Sequence, residues 1–325
     1  MKNIASIDLG THTTRLLIAQ LVDNCSLKPL VNRRVITRLG MRIADKKISN
    51  EAIVDVIKVL DRYAQFMDTY KVEAYRAVAT AILRRAKNAD HLISLIEKKL
   101  DLKMEVIDGL EEAHLTALGA LSTIDVRESP LLIADIGGGS TELIWLNRGN
   151  KVLLSLQVGS VSITNRLSPL PTDEEIERAL KETKEAILNE AAFPHAPKML
   201  IGTAGTVSTL AAIEKKISIY RPSLINGSIL TKESIWGILN KLAKLPRHKR
   251  LLIPGVEPGR EEIILGGSII TLALLDVFCK DLLIVSEGGL LEGAIIDYLQ
   301  KNMGLTNIYF ILEDNAYGDK GGINL

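Results

Sequence analysis

Cysteine is nearly missing from this chain. Cys25 and Cys279 are the two in 325 residues, and neither has a CxxC partner. That excludes a disulfide framework and a thiolate metal site, and it fits the reduced thiols of a cytosolic protein. Aromatic residues make up 4%, so the cores have to be built from Ile, Leu, Val and Ala. Such a mix suits parallel strands covered by helices on both faces. The five histidines, His12, His91, His114, His195 and His248, show no metal-ligand spacing. No apolar run is long enough to cross a bilayer before a charge interrupts it, so no membrane partner is expected. Asp8 stands where the apolar core of a signal peptide would continue, which predicts a cytoplasmic chain. Charge of one sign is also missing. Lys and Arg number 40 against 39 Asp and Glu, so no global field draws in nucleic acid or membrane. A polyanion has to be attracted locally. Lys28 to Lys47 holds seven Lys or Arg and one acid, Asp45. Lys46 and Lys47 read as a solvated hairpin edge. Arg33, Arg34, Arg38 and Arg42 alternate with apolar residues and read less blandly.

What the chain does have is apolar bulk and an internal repeat. Apolar residues are 47% of it, ample for two cores, and the length suggests two domains. Ile4 to Ile18 matches Leu131 to Trp145 at an offset of 127, pairing Asp8 with Asp135, Gly10 with Gly137, Thr13 with Ser140 and Thr14 with Thr141. One long period is a duplicated domain, not a solenoid. Each copy reads strand, Asp-apolar-Gly, a small-residue turn, strand. The backbone N–H groups and hydroxyls of such turns can converge on an anion.

The remainder alternates helix and strand. Helices are predicted over Glu51–Tyr70 (Ser49 or Asn50 as N-cap), Ala89–Leu100, Glu111–Leu121, 172–188 behind a Thr172/Glu175 capping box, Ile263–Phe278 and Gly289–Gln300. Strands are predicted over Ala74–Ala79, Met104–Ile107, Val152–Val158, Met199–Gly202 and Leu282–Val285. A domain boundary is placed near Ser122–Pro130, and Asn302–Leu325 is expected to fray.

Several residues carry potential chemistry. Asp8 and Asp135 each end a strand beside a glycine turn; singly each reads as a turn cap, but as a matched pair they suit a hydrated Mg²⁺, which takes one or two carboxylates plus substrate phosphates. Gly137-Gly138-Gly139-Ser140-Thr141 is a candidate phosphate cradle, because glycine lets the backbone approach an anion. The Gly10 turn, with Thr11 and Thr13, is its counterpart. Glu111-Glu112 at a helix start complements the helix dipole, or one of the two orients and deprotonates an attacking water. Arg15 in the first copy becomes Glu142 in the second. Arg15 would grip phosphate bidentately and Glu142 would meet metal or water; the bland alternative is a cross-strand ion pair. Gly202-Thr-Ala-Gly205-Thr206 links a strand to a helix N-terminus and could hold an anion. Arg84, Arg85 and Asn88 follow a strand end and are phosphate contacts or an exposed face.

Together these motifs resemble the exopolyphosphatase/guanosine pentaphosphate phosphohydrolase (Ppx/GppA) family, in its short form, over the chain to about Gln300. The resemblance rests on Asp135-Ile-Gly-Gly-Gly-Ser-Thr-Glu142 with Ser6-Ile-Asp-Leu-Gly10, Ala79-Thr80 before Arg84, Gly109-Leu-Glu-Glu-Ala113 and Gly202-Thr-Ala-Gly-Thr206. It implies an α/β chain of two RNase H-like domains of the actin, sugar-kinase and heat-shock ATPase type, facing an interdomain cleft. Residues 1–125 would form the first, 126–291 the second, and a helix over about 292–325 would return to the first. It implies Mg²⁺-dependent release of terminal orthophosphate from inorganic polyphosphate or guanosine pentaphosphate, the latter tied to the stringent response. Glu112 would be the base and Glu142 would act in catalysis and hold metal with Asp8 and Asp135. Gly10, Thr11, Thr13, Arg15, Arg84, Gly137, Gly138, Gly139, Ser140, Thr141, Gly205 and Thr206 would bind phosphate. Three positions depart from the pattern: Thr11-His12-Thr13 for Ser-Asn-Ser, with His12 able to make phosphate contacts pH-sensitive; Arg260-Glu261-Glu262 for Arg-Ala-Asp; and Leu291-Glu292-Gly293 for Arg-Glu-Gly. Two other readings compete. One is a phosphotransferase of the same fold. The other is a non-catalytic sensor of guanosine penta- or tetraphosphate, with Arg15 and Arg260 stacking on the base. The apolar C-terminal helices suggest a homodimer.

Overall fold

The computed structural model describes residues 2–126 and 128–317. They form two compact units. One takes the chain up to Thr123 and again from Gly288; the other spans Ile124–Glu287.

The first unit opens with an antiparallel hairpin, β1 (Lys2–Leu9) and β2 (Thr13–Leu21), registered from Lys2 opposite Leu21 to Leu9 opposite Thr14. β3 (Ser26–Ile36) pairs antiparallel with β2 across a bulge at Ile18/Ala19. A short ribbon, β4 (Ile43–Ala44) and β5 (Lys47–Ile48), leads into α1 (Asn50–Thr69). Ser49 caps α1, its side chain accepting from the Ala52 N–H. β6 (Ala74–Ala79) lies parallel to β1 and is followed by α2 (Ala81–Arg85), α3 (Ala89–Leu100), β7 (Glu105–Val106) and α4 (Gly109–Leu121). β7 is shorter than the predicted Met104–Ile107. Glu105 and Val106 pair with β6 and Ile107 N–H still donates to Ala79 O at 3.1 Å, while the Met104 and Ile107 side chains are buried. β1 shows no polar alternation because both its faces are covered. Ala5, Ile7 and Leu9 pack with the α1 side, and Ile4 packs on the other.

The second unit repeats the opening. β8 (Leu131–Ile136), β9 (Thr141–Asn147) and β10 (Asn150–Leu156) form an antiparallel meander. Then come α5 (Ser160–Thr164) and α6 (Asp173–Glu190), the latter behind the Thr172/Glu175 capping box. β11 (Met199–Thr203) lies parallel to β8 and runs into α7 (Ala204–Glu214). α8 (Pro222–Ile225), β12 (Ile229–Thr231), α9 (Lys232–Ala243), α10 (Arg247–Arg250), α11 (Ile264–Val277) and β13 (Leu282–Val285) complete it. Strand order is β10-β9-β8-β11-β13-β12. α11 is apolar all round because it is buried on nearly every side.

From Gly288 the chain is back in the first unit. α12 (Leu290–Met303) packs on α4 so closely that a Cβ at Gly119 would meet the Gly289 backbone, and one at Gly293 the Leu115 carbonyl. The segment from Asn302, expected to fray, instead carries β14 (Tyr309–Phe310). It adds to β3 and gives the order β14-β3-β2-β1-β6-β7. Tyr309 N–H donates to Cys25 O at 2.9 Å and Ile311 N–H to Leu27 O at 2.8 Å, while Ile308 and Phe310 fill the α12 side of the core. A two-residue strand has no periodicity to read, so only burial reveals it. Residues 318–325 of that expectation lie outside the described residues. Each sheet is mixed, a hairpin-led antiparallel part continued by parallel strands. The chain is thus α/β with an RNase H-like arrangement in each unit.

Candidate phosphate-binding and hydrolytic site

The repeat is visible atom by atom in the two hairpin turns. Gly10 N–H donates to Thr13 O at 3.0 Å, and Gly137 N–H to Ser140 O at 3.1 Å. In both turns the carbonyls are held by backbone from another segment. Thr37 and Arg38 N–H both reach His12 O at 3.0 Å, and Gly40 N–H reaches Thr11 O at 2.8 Å. In the second unit Ser160 N–H reaches Gly137 O at 2.9 Å and Val161 N–H reaches Gly138 O at 3.0 Å. Unrelated segments thus do the same work. They take up the oxygens, which would repel phosphate, and brace the turn. The bracing is tight: a Cβ on Gly159 would collide with the Gly138 and Gly139 backbone. Thr141 Oγ1 donates to Val158 O at 2.7 Å, so that hydroxyl is spent on structure. His12 is buried at 4% exposure, not displayed on the turn.

Glu112 stands in the first turn of α4. Asp108 caps that helix, accepting from the Glu111 N–H at 2.8 Å, an interaction worth about 1 kcal/mol. Glu112 is 7% exposed. Arg84 Nη1 donates to Glu112 Oε2 at 2.7 Å and to Ile107 O at 3.0 Å, which pins the carboxylate from the end of α2. Arg84, expected at phosphate, is therefore a partner of the candidate base. Arg84 Nη2 is buried without a hydrogen-bond partner. Glu111 faces elsewhere: it accepts from Arg76 Nη2 at 2.9 Å, and Arg76 also binds Asp297 at 2.7 Å and Glu105 at 3.1 Å. Burial opposes the Arg76 charge, but these hydrogen bonds outweigh it and hold the guanidinium above its ordinary pKa. The two adjacent acids thus separate, Glu111 bracing the helix and Glu112 turned to the Arg84 side. Sequence reasoning missed Arg76 and Asp297. The one available signal was an Arg inside an otherwise apolar strand.

Asn88, considered as a phosphate contact, instead brackets Ile48, accepting from its N–H and donating to its carbonyl, both at 2.9 Å. Arg42 pairs with Asp55 at 2.8 Å, and the Arg33 guanidinium lies 5.4 Å over the Phe66 ring.

The Arg15/Glu142 exchange falls at one register position. Arg15 is directly opposite Asp8, and Glu142 directly opposite Asp135. In the first unit the pair is an ion pair: Arg15 Nε and Nη2 both donate to Asp8 Oδ2, at 2.9 and 2.6 Å. Arg15, expected to grip a phosphate or a base, thus donates twice to Asp8. Nearby, Glu292 in the first turn of α12 accepts from Gly289 N–H at 2.9 Å; burial pushes its carboxyl above the ordinary range. In the second unit two carboxylates, 6% and 1% exposed, face each other across the hairpin, and Ser155 Oγ donates to Glu142 Oε1 at 2.8 Å. Like charges directly opposite are destabilising, and a cation held by both would relieve that. All-oxygen donors suit Mg²⁺, and two carboxylates are the number it takes when substrate supplies the rest. Asp135 and Glu142 fit the ion, and Asp8, paired with Arg15 through Oδ2, keeps a buried Oδ1 without a hydrogen-bond partner. Among the described residues no cluster of three or more His, Cys, Asp or Glu forms a closed metal cage.

The Gly202–Thr206 link runs from β11 into α7. Ala204 sits at φ +68°, a left-handed conformation costly for any residue with a Cβ, and such strain gathers at functional sites. The Arg260 guanidinium lies against Gly205, where any Cβ would collide with it, and Thr206 Oγ1 donates to Ile136 O at 3.4 Å. Gly137–Ser140, the start of α7 and Arg260 thus belong to one unit, the last two in contact.

The Ppx/GppA phosphatase family model matches residues 17–302. Exopolyphosphatase 2 of Mycobacterium tuberculosis is 30% identical over 312 residues, 90% of this chain and 97% of that protein. The bifunctional 3-dehydroquinate synthase/phosphatase of Fusobacterium nucleatum is 33% identical over 308 residues, covering 90% of this chain; the chain spans 46% of that relative's length. Among solved structures, the Aquifex aeolicus member of the Ppx/GppA family superposes with a TM-score of 0.79 at 32% identity, over 93% of this chain and 99% of the other.

Proposed function

The chain belongs to the Ppx/GppA phosphatase family, and we propose that it is a Mg²⁺-dependent phosphohydrolase releasing terminal orthophosphate from inorganic polyphosphate, guanosine pentaphosphate or both. The observation that carries this is Glu112, a buried carboxylate held by Arg84 at 2.7 Å at the head of α4. A base that has to orient water needs a fixed direction, and Arg84 supplies it. The relatives' names include exopolyphosphatase, and polyphosphate is accordingly the first substrate to test.

In this reading the Gly10 turn and the Gly137–Ser140 turn present backbone N–H groups to phosphate oxygens, with their own carbonyls tied back. The N-terminus of α7 with Arg260 adds cationic character in the second unit. Glu112 orients a water toward the terminal phosphorus and takes its proton as the phosphorus–oxygen bond to the chain breaks. Positioning and charge neutralisation supply most of the rate. Asp135 and Glu142 would hold Mg²⁺, which would neutralise phosphate charge there. Location in the cytoplasm and a role in the stringent response accompany this reading as proposals.

Orthophosphate release from long-chain polyphosphate, tripolyphosphate and guanosine pentaphosphate, with and without chelator, tests it. Chelator-sensitive release with water as acceptor is expected. Release from none of them, together with tight binding of the nucleotide, would replace it with the sensor reading.

A further inference from the structure

The second unit carries an uneven charge. Between Glu233 and Glu257 the chain has no acid, but within 241–250 it has Lys241, Lys244, Arg247, His248, Lys249 and Arg250. This is a denser cationic run than Lys28–Lys47, and the site described above does not use it.

Two of the six are structural. Arg250 is buried, and its guanidinium donates to Leu242 O, Leu245 O, Glu261 O and Pro169 O at 3.0 to 3.2 Å. Burial first, then the neighbouring Arg247 charge, pulls its pKa below the ordinary guanidinium value. Arg247 pairs with the buried Glu262. Both contacts tie this segment to residues 261 and 262, next to Arg260, which lies against Gly205 at the α7 loop. Arg247 and Arg250 thus tie the cationic run to the segment that carries Arg260.

The other four, Lys241, Lys244, His248 and Lys249, are exposed, and among the described residues none of their side chains closes an ion pair. The C-terminal dipole of α9 accounts for Lys241 and Lys244 but not for His248 and Lys249 beyond it. At its far end the strip stops, where Lys241 lines a groove with Glu214 and Glu233. So the strip is tethered next to Arg260, displays Lys241, Lys244 and Lys249, and meets acids at its Lys241 end.

We propose that this strip is a track for a linear polyanion. Its exposed cations take the distal phosphates of a long polyphosphate whose end reaches the Gly205–Arg260 loop. The inference rests on the phosphohydrolase reading. A tight loop accommodates few phosphates, and each further unit of a long chain brings another negative charge that must lie on surface. A strip of solvated lysines meets that need without specificity, through attraction that weakens with salt. Short substrates never reach it.

The test uses the full chain and the triple variant K241Q/K244Q/K249Q, none of whose residues belongs to the hydrolytic machinery. Direct binding and orthophosphate release are measured for long-chain polyphosphate and for tripolyphosphate, at low and high salt. Loss of several phosphate contacts is expected to weaken long-chain binding and raise its KM about tenfold or more, and to flatten its salt dependence. Tripolyphosphate binding and turnover should stay as in the unaltered chain. Unchanged long-chain binding in the variant overturns the track, as does an equal loss on both substrates. If the unaltered chain binds and releases phosphate from neither, the phosphohydrolase reading itself fails and the track falls with it, an outcome distinct from the other two.

Discussion

Arg84 Nη1 stands 2.7 Å from Glu112 Oε2, and the same nitrogen reaches Ile107 O at 3.0 Å. One guanidinium thus fixes a side chain on α4 to the backbone just ahead of that helix.

Replacing Arg84 with Gln should therefore act on Glu112 rather than on substrate binding. Without the guanidinium the buried carboxylate loses the contact that fixes its direction, so the water it orients should be held less well. kcat should fall while KM changes little, and Lys should restore part of the loss. A rise in KM with kcat unmoved would return Arg84 to the role of a phosphate contact.

Arg15 and Asp8 make a different kind of pair. Asp8 is almost wholly buried and Arg15 about a quarter exposed. Removing Arg15 strands a buried carboxylate, so R15L should cost up to about 3 kcal/mol in urea unfolding. D8N/R15L should recover most of that. Equal losses in the single and double variants would show that the ion pair is not what the position requires.

Asp135 and Glu142 predict a stability effect of metal independent of turnover. Mg²⁺ should raise the melting temperature of the unaltered chain without substrate, because it relieves two opposed carboxylates. E142Q removes one charge. It should melt higher than the unaltered chain in chelator and should lose the Mg²⁺ response. A Mg²⁺ shift that survives in E142Q would move the ion elsewhere.

Glu292 gives a pH signature. Burial raises its carboxyl, against the hydrogen bond from Gly289 and the Arg15 charge. The folded chain thus holds the proton more tightly than the unfolded one. Its stability contribution is complete below the ordinary carboxylate value and is lost as pH climbs through the raised one. E292Q, neutral throughout, should gain stability relative to the unaltered chain between pH 4 and pH 8. A difference that stays constant across that range would contradict the buried, proton-holding carboxyl.

Much of this arrangement was legible in the sequence because duplication printed it twice. Asp8-Leu-Gly10 and Asp135-Ile-Gly137 announced two hairpins, and capping residues at Ser49 and Thr172 announced their helices. β14 was invisible, since two residues carry no pattern. Partner choice was invisible too. Nothing local says that Arg84 turns to Glu112, or that Arg15 folds onto Asp8, because both depend on registers and helix positions set by distant residues. The Arg/Glu exchange was noticed as an asymmetry, but its meaning needed the cross-strand register. One hairpin sets an arginine across from its aspartate; the other sets a second carboxylate there.

The central claim is that Glu112 activates water at a terminal phosphate. The most direct measurement is orthophosphate release from tripolyphosphate by the unaltered chain and by E112Q, with substrate binding and melting temperature recorded for both. The account predicts that E112Q folds and binds substrate normally while kcat falls by about 10²- to 10⁴-fold. An E112Q protein that keeps near-normal turnover would contradict it.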